Sequence, residues 1–511
     1  MIVASSLDVD KSETLVNLAQ DLTVFVRKAV EQGVSLDGLE RGVLKRVLHM
    51  GKSAVNFFLD AQGDGDLGDS VTTEEGTILY RSDTINERPL RTIFGEQTLQ
   101  TYVYSQGDKR KIELRPIDAR VNLPEGKASY LLQEFSQMFC VEKAFHVGAR
   151  QFETVFRQKL SVDVLEGINR AMGEQADTYL DNLPTPSPAA EGALLVSTAD
   201  GKGVPLVQED AQQVPAFDKK ERPGNRRMAT LGCVYTVDPY VRTPEQIVAA
   251  LFRDRTVSQP EDRPEPCGKR YRACFAEPVQ PGVAAVPSAY LTWAWIAQQV
   301  TARRQSGQPI VRLMDGQPIL LEAANACLVD VVEKLRDSGE VQLLVDILDI
   351  IHVSGYLWKA AKAFYNHKEF QEAFVEERML RILHGEVSGV LTGMRRMASQ
   401  RNLKGEALKA VTTASNYFEK NAERMRYDEY LKAGYPIASG VIEGACRHVI
   451  KDRMEHGGMR WTLLGAEAML NVRSVSASSA WEDFGSWRQL EEAKRVHPNK
   501  ALVTNYREFK A

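Results

Sequence analysis

The length, composition and charge of the chain exclude several classes of protein. It has 511 residues, of which 43% are hydrophobic and 26% charged, and its formal net charge is -4. A chain of this length is too long for one hydrophobic core, so we expect two to four domains. The charge balance provides no global basic field, so any binding of nucleic acid must depend on local basic patches.

The cysteines and the apolar segments indicate a protein of the cytoplasm. The six cysteines form no C-x2-C pair, which argues against a zinc ribbon and a disulfide framework and favours reduced thiols. The N-terminal residues lack the apolar core of a signal peptide. The uncharged run from Pro278 to Ala302 is interrupted by prolines and glutamines, so we expect no membrane span there.

The N-terminal region is predicted to be mainly helical. Helical periodicity covers residues 12–60, and an acidic linker follows at residues 60–75. Alternation between Arg88 and Arg115, with Gly107-Asp108 between two runs, predicts a β-hairpin. Residues 145–172 have the pattern of two helices around a short turn, either a helix-turn-helix that reads DNA or an ordinary helical hairpin. A proline-rich stretch from Leu183 marks the first domain boundary.

Strands and helices alternate in the middle of the chain. Two apolar runs predict strands that end in Asp200-Gly201 and Asp315-Gly316, where glycine lets the chain turn away from the carboxylate. Other runs predict strands at 228–237, 270–275 and 341–349 and helices at 290–304 and 320–336. From His352 to Tyr430 almost the whole pattern is helical.

One helix is predicted between Ser439, a good N-cap, and the glycine pair at 457 and 458. Its residues Glu443, Arg447 and Lys451 recur every four positions beside an apolar stripe. Such a stripe is usually a solvated face with ion pairs. The alternative is that the carboxylate binds a metal while the cations hold phosphates.

Three carboxylates, Asp200, Asp315 and Glu443, together favour the metal-binding alternative. Parallel neighbouring strands bring their terminal aspartates side by side, at the edge of the sheet where α/β proteins bind ligands. With Glu443 they would hold two Mg2+ or Mn2+ ions about 3.5–4 Å apart, a separation suited to displacement at phosphate.

Five stretches of the sequence resemble one known family. They begin at Thr198 (TADGKGV), Lys219 (KKERPGNRRMAT), Val234 (VYTVDPY), Leu313 (LMDGQ) and Gly440 (GVIEGAC). All are similar to the ISKra-type insertion-sequence transposases, and the resemblance extends over residues 90–480. Many relatives carry a cysteine-paired zinc segment in the N-terminal part, which this chain lacks between Arg88 and Pro124.

The resemblance implies an α/β, RNase H-like mixed sheet flanked by helices and a metal-dependent Asp-Asp-Glu active site. The first aspartate corresponds to Asp200 and the glutamate to Glu443; Asp315 fits the second aspartate best, with Asp349 as a rival. The expected segments are a helical region with an acidic linker (1–75), a β-hairpin with a helical DNA-binding region (76–185), the first part of the catalytic core (186–353), a helical insertion (354–432), and the glutamate-bearing helix with a tail (433–511).

The implied function is that of a bacterial DNA transposase in the cytoplasm, associated with the nucleoid. Its partners would be double-stranded DNA, namely the terminal inverted repeats of the element and the target, and further copies of the chain on DNA. We expect DNA contacts from Lys219, Lys220, Arg222, Arg226, Arg227, Arg447, Lys451, Arg453 and Arg460. The residues from 219 to 227 could instead be an ordinary solvated run of charge.

Several choices stay open at the level of sequence. Asp349 and His352 could contact the catalytic groups without binding the metal themselves, or they could form a buried polar cluster. Trp461 could stack on an extruded base, although a core position is more usual. A metal-dependent nuclease or resolvase of the same fold, or a non-catalytic DNA-binding protein derived from a transposase, are the alternative functions.

Overall fold

The computed structural model describes residues 6–107, 110–216, 224–254, 256–258, 263–340 and 343–504, with side chains from residue 14 onward. The chain divides into two compact units, one formed by residues 1–168 with 482–511 and the other by residues 169–481. This division is coarser than the five segments expected from the sequence. None of the helices within those ranges is long and apolar enough to cross a membrane.

The described part of the N-terminal third contains six helices and six short strands. They are α1 (Ser6–Glu31), α2 (Leu36–Asp60), β1 (Ser70–Thr72), β2 (Ile78–Arg81), β3 (Asn86–Thr92), β4 (Gly95–Thr101), β5 (Tyr104–Ser105), β6 (Ile112–Leu114), α3 (Pro116–Val121), α4 (Tyr130–Glu142), α5 (Phe145–Phe156) and α6 (Val162–Asp181). The predicted helices at 12–60 and 145–172 are confirmed.

The predicted β-hairpin is present, together with a longer one. Strands β5 and β6 pair antiparallel across Gly107, as expected, while Asp108 lies outside the described residues. The longer pair is β3 with β4, whose ladder runs from Asn86–Thr101 to Thr92–Gly95. Its buried Leu90 and Leu99 pack with Leu59 of α2 in one small core.

The second unit is built on a five-stranded mixed sheet. Its strands and the helices between them are β7 (Leu194–Pro205), α7 (Gln208–Gln213), β8 (Arg226–Val237), α8 (Pro244–Phe252), β9 (Cys267–Phe275), α9 (Ser288–Arg303), β10 (Ile310–Met314), α10 (Pro318–Cys327), α11 (Val329–Asp337) and β11 (Leu344–Leu348). The strand order is β11-β10-β7-β8-β9. Strands β10 and β11 run parallel to β7, whereas β8 and β9 continue it as an antiparallel meander.

Helix α9 covers one face of this sheet because its apolar side chains recur at helical spacing. Trp293, Ile296 and Val300 are fully buried. The close approach depends on Gly232 of β8, where an added Cβ would lie 2.7 Å from a methyl group of Thr292. The hydroxyl of Thr292 donates a 3.0 Å hydrogen bond to the carbonyl of Thr230, which satisfies a polar group inside the contact.

The predicted helical stretch after His352 is confirmed, and the chain then ends in further helices. They are α12 (Ile350–Phe364), α13 (Lys368–Leu383), α14 (Val387–Gln400), α15 (Gly405–Lys420), α16 (Tyr427–Lys432), α17 (Gly440–Ala445), α18 (Asp452–Met454), α19 (Leu463–Ala477) and α20 (Trp481–Val496). A π-helical turn, Cys446–Lys451, separates α17 from α18. The prediction of a single uninterrupted α-helix between Ser439 and Gly458 is therefore wrong. The helix expected at 320–336 is likewise divided at Leu328.

The end of the chain returns to complete the first unit. The carboxylate of Glu492 on α20 accepts a 3.1 Å hydrogen bond from the backbone N–H of Glu125. The ring of His497 lies 2.8 Å from the carbonyl of Leu123, and Val503 joins the core around Leu79. Val503 therefore shares one core with residues between positions 79 and 119.

Candidate active site

The parallel part of the sheet brings three aspartates to one level. The ladder between β7 and β10 ends at the pair Ser197–Arg312, and Asp200 and Asp315 each follow that pair by three residues. Met314 pairs with Leu348 of β11, which sets Asp349 next in the same row. Neighbouring strands lie about 4.8 Å apart, so Asp315 is one strand from Asp200 and Asp349 is two. This is the order predicted from the sequence.

The sequence predicted a strand that ends at Asp200, but strand β7 does not end there. It continues to Pro205, paired residue by residue with β8 from Arg226 to Val237. Gly201 is extended rather than a turn; its small size leaves room for Met228, whose sulfur would lie 2.7 Å from an added Cβ. The half-buried Asp200 therefore projects from the middle of a strand, and its Oδ1 accepts a 2.7 Å hydrogen bond from the N–H of Gly201.

The Asp315 loop is held by the helical region that follows. The backbone N–H of Gly316 donates a 3.1 Å hydrogen bond to the hydroxyl of Tyr417 on α15. The buried guanidinium of Arg424 donates to the carbonyls of Asp315 and Met314, at 3.3 and 3.2 Å. Gly316 lies in the connection between β10 and α10, where packing adds a second reason for glycine. An added Cβ there would lie 2.5 Å from the Tyr417 ring, so glycine is required by packing.

The terminal carbonyl groups of β11 are held from the same direction. The hydroxyl of Tyr427 donates a 2.7 Å hydrogen bond to the carbonyl of Leu348, and Tyr430 donates at 2.9 Å to that of Asp346. These contacts satisfy backbone acceptors at the strand ends. The helical region therefore fixes the loops on which Asp315 and Asp349 stand.

Asp349 is fully buried, and hydrogen bonds occupy both of its carboxylate oxygens. Its Oδ1 accepts from the N–H groups of Ile351 and Ser439 at 3.1 and 3.0 Å. Its Oδ2 accepts from Ser439 Oγ at 2.7 Å and lies 2.8 Å from Nδ1 of His352. Burial alone would raise the pKa of Asp349, but the hydrogen bonds from His352 and Ser439 outweigh it and lower the pKa. Asp349 thus connects the start of α12 to the start of α17.

Ser439 precedes α17, as predicted, but its hydroxyl does not cap the helix. It makes no capping hydrogen bond and instead donates to Asp349. The same hydroxyl lies 3.4 Å from Oε1 of Glu443, one turn along α17. Ser439 therefore sets the position of the glutamate-bearing helix relative to the strand ends.

His352 stands between the carboxylates. Its Nε2 lies 4.0 Å from Oδ2 of Asp315, while its Nδ1 faces Asp349. Ligand atoms of Asp349, His352 and Glu443 all lie within 4.8 Å of one another. The hydrogen bond with Asp349 raises the pKa of His352 to about 9, and the charges of Asp349, Asp315 and Glu443 add to this. The imidazole is therefore protonated at neutral pH, and one positive charge lies among the acids.

Burial and mutual repulsion act on the remaining acids. Burial raises the pKa of Asp315, and the negative charge of Asp200 raises it further. Burial also raises the pKa of Glu443, with Asp349 and Asp200 contributing repulsion. Carboxylates that repel one another in a partly buried site are stabilised by a cation. Oxygen ligands of this kind suit Mg2+ and Mn2+. The group that the described residues bring close enough to hold a metal is, however, Asp349, His352 and Glu443, and not the expected Asp200, Asp315 and Glu443.

Of the nine basic residues predicted to contact DNA, four are exposed. These are Arg226, Arg447, Lys451 and Arg460. Arg226 forms an ion pair with Glu455, and Arg447 lies 3.7 Å from Asp452. Lys219, Lys220 and Arg222 lie outside the described residues.

Two of the predicted DNA contacts are wrong because their guanidinium groups are buried. Arg227 is 5% exposed and donates to the carbonyls of Val214 and Gly224, both at 2.6 Å, and to that of Ala211. Arg453 is 1% exposed and lies over the ring of Trp461, 4.7 Å from its centroid. The guanidinium group of Arg227 is bound to backbone carbonyls and that of Arg453 lies on an aromatic ring, so neither can reach a phosphate.

Trp461 occupies the core position that is usual for tryptophan. It is 7% exposed, and its indole N–H donates a 3.2 Å hydrogen bond to the carbonyl of Met454. Its backbone pairs with the end of β7, where its N–H donates to the carbonyl of Pro205 at 3.1 Å. It is therefore not available to stack on a base.

Sequence reasoning missed four residues that contact the site. Tyr417 and Arg424 lie in a helical stretch with no local signal, and their contacts depend on tertiary packing. Ser439 was taken only as a helix cap. Burial raises the pKa of the thiol of Cys446, 4% exposed in the π-helical turn, and the carboxylate of Asp200 lies near enough to raise it further. A π-helical turn widens one turn of a helix and is frequent at functional sites, but no sequence pattern announced it.

The fold and the site define a mixed α/β protein with an acidic cluster at its parallel strands, where Asp315 and Asp349 follow strand ends and Asp200 lies within β7. Such strand ends are a usual position for ligand sites. No protein-family model matches this chain, and no curated protein matches it.

Proposed function

We propose that the chain is a DNA transposase with an RNase H-like core, in which Asp200, Asp315 and Glu443 bind two divalent metal ions. Its substrates would be the ends of a bacterial mobile element and a target DNA. The proposal rests on the resemblance of the sequence motifs to the ISKra-type transposases. Independent support comes from the sheet, where the strand of Asp315 lies beside that of Asp200, as assumed for an RNase H-like core.

The observation that carries the proposal is the row of aspartates beside Glu443. The register sets Asp200 and Asp315 on adjacent strands, and the charge of Asp200 acts on both Asp315 and Glu443. Asp315 offers an oxygen that is not used by the backbone, since only its Oδ1 accepts a backbone N–H, from Gln317 at 3.0 Å. Both oxygens of Asp349 already accept hydrogen bonds, Oδ1 from two backbone N–H groups and Oδ2 from the side chains of Ser439 and His352. This favours Asp315 as the second catalytic aspartate.

Each group of the chain has a separate part in this proposal. Metal ions, when bound, would activate the attacking oxygen and stabilise the leaving oxygen during displacement at phosphate. Asp349 orients His352 through Nδ1 and fixes Ser439 at the start of α17. The imidazolium of His352 offsets part of the negative charge among the acids. Tyr417 and Arg424 hold the backbone of the Asp315 loop in place.

The DNA would lie over the exposed cations around the site. Arg447 and Lys451 lie on the π-helical turn that follows Glu443, and Arg226 lies on the strand beside β7. Helices α5 and α6 remain the proposed location for recognition of the element ends. The exposed side of α5 and the turn after it carry Arg150, Arg157 and Lys159, a basic set suited to phosphates.

The proposal is tested with the full chain and a plasmid that carries the DNA flanking its gene on both sides. Incubation with Mg2+ or Mn2+ should cleave at the element ends and join them to a second plasmid, and EDTA should stop both reactions. Cleavage without joining would assign the chain to the metal-dependent nucleases. Cleavage that EDTA leaves undiminished, or binding without any cleavage, would refute the proposal.

A further inference from the structure

Lys202 lies on the same face of β7 as Asp200. The pairing of β7 with β8 continues without interruption from Leu194–Val237 to Pro205–Arg226, so no bulge changes the alternation of side chains. Asp200, Lys202 and Val204 therefore project to one side of the sheet. Two residues of strand span about 7 Å, which a lysine side chain can bridge.

Contacts at Cys446 relate this face to the active site. Cys446 stands in the π-helical turn directly after α17, which carries Glu443. The π-helical turn packs against β7, and the thiol of Cys446 is buried there. Burial raises the pKa of the thiol, the charges of Asp200 and Glu443 raise it further, and the charge of Lys202 opposes them. Asp200 and Lys202 therefore both lie near enough to this thiol for their charges to act on it.

Lys202 is half-buried and has no direct acidic partner in the part of the chain that the structure describes. No carboxylate there lies within 4.0 Å of its ammonium nitrogen, although the site beside it is rich in acids. A half-buried ammonium normally gains an anionic partner, because desolvation without one is costly. An anion that arrives with the substrate would supply that partner.

We propose that Lys202 binds a non-bridging oxygen of the DNA phosphate that lies at Asp200, as a catalytic residue of the strand-cleavage reaction. This inference rests on the proposed function, since it needs DNA at the acidic site. Lysine is a common phosphate ligand and acts as a point charge. At a phosphate undergoing displacement, its charge opposes the negative charge that gathers on the non-bridging oxygens.

The test compares Lys202→Gln with Lys202→Arg and with the control Lys334→Gln, at an exposed lysine of α11. Cleavage of DNA with Mg2+ should fall about 100- to 1,000-fold in kcat/KM for Lys202→Gln, the size expected for one lost transition-state contact. Lys202→Arg should keep most of the activity because the charge remains. Lys334→Gln should match the unaltered chain.

Two further measurements separate a phosphate contact from a structural role. In metal-free binding of a labelled random-sequence duplex, the slope of log K against log salt should be smaller by about 0.9 for Lys202→Gln. In the cleavage assay, a methylphosphonate replaces one non-bridging oxygen at the phosphate being cut or at its neighbour. This substitution should slow cleavage by the unaltered chain but slow cleavage by Lys202→Gln little further. The two losses should not multiply, because they remove the same contact.

The outcomes are distinguishable from failure of the proposed function. If the unaltered chain shows no metal-dependent cleavage, the transposase proposal fails, and the salt slope still tests whether Lys202 meets a phosphate. If the unaltered chain cleaves DNA and Lys202→Gln cleaves equally well, the inference about Lys202 is wrong. An unchanged salt slope, or losses that multiply with the methylphosphonate, would also overturn it, whatever the unfolding temperature of the variant.

Discussion

Replacing Asp349 by asparagine should lower the stability of the protein, whereas replacing Asp315 should keep its stability and abolish cleavage. Asp349→Asn substitutes an amide nitrogen for one oxygen, so it loses two of the four hydrogen bonds around a fully buried carboxylate. Hydrogen bonds to a charged group contribute about 1.5–3 kcal/mol each. The hydroxyl of Ser439 can turn towards Glu443, 3.4 Å away, and recover part of the loss. We therefore expect a destabilisation of about 3 kcal/mol.

Asp315→Asn should leave the metal-free protein as stable as before, or slightly more stable. Its amide oxygen can keep the hydrogen bond from the N–H of Gln317, and its other oxygen lies 4.0 Å from His352. Because burial raises the pKa of Asp315, removing the charge relieves a cost of folding. Metal-dependent cleavage should nevertheless be lost, since an amide is a poor ligand for Mg2+.

Thermal unfolding without metal and plasmid cleavage with Mg2+ test both expectations. For a unit of the size of residues 169–481, a loss of about 3 kcal/mol lowers Tm by roughly 5 °C. Asp330→Asn, at an exposed aspartate of α11, is the matched control and should change neither property. Normal cleavage by Asp315→Asn, or an unchanged Tm for Asp349→Asn with loss of cleavage, would refute the assignment of roles.

Three further predictions concern single side chains. Glu443→Gln should abolish cleavage and leave DNA binding in a mobility-shift assay intact, whereas the control Glu333→Gln, at an exposed glutamate of α11, should change neither cleavage nor binding; loss of binding by Glu443→Gln would instead give Glu443 a structural role. Tyr427→Phe should lower the free energy of unfolding in urea by about 1–2 kcal/mol, because the buried carbonyl of Leu348 loses its donor. An unchanged free energy of unfolding would show that this hydrogen bond does not stabilise the protein. Burial raises the pKa of Glu467 to about 7, so the folded state binds more protons than the unfolded state between pH 4.5 and 7 and stability falls as pH rises through that window. Glu467→Gln should therefore be more stable than the unaltered chain at pH 8 but not at pH 4, and equal stability at both pH values would contradict this.

The parallel strands and their order were predictable because their signals are local. Buried parallel strands are short continuous apolar runs, and those before Asp315 and Asp349 are clear examples. The extension of β7 beyond Asp200 was not predictable in the same way. Gly201, Lys202 and Gly203 have low strand propensity, and they are extended because β8 supplies a long-range partner.

The positions of charged side chains were the least predictable part of the site. Arg227 and Arg453 have the same local sequence character as the exposed Arg226 and Lys451. Their burial depends on carbonyl groups and an aromatic ring brought together only by folding. The network around Asp349 was foreseen only in part, since the spacing to His352 was visible but the donor Ser439 is far along the chain.

The return of the C-terminal segment has a consequence for synthesis on the ribosome. The core around Leu79 and Tyr104 includes Val503, and Glu125 meets Glu492. A nascent chain from which residues 1–168 have left the ribosome still lacks these partners until residues 492–503 have been synthesised. Residues 169–481 carry their own sheet and can fold earlier, so the unit that begins the sequence would be the last to acquire its full core. Ribosomes that stop before residue 482 would release a chain whose N-terminal unit is unfinished.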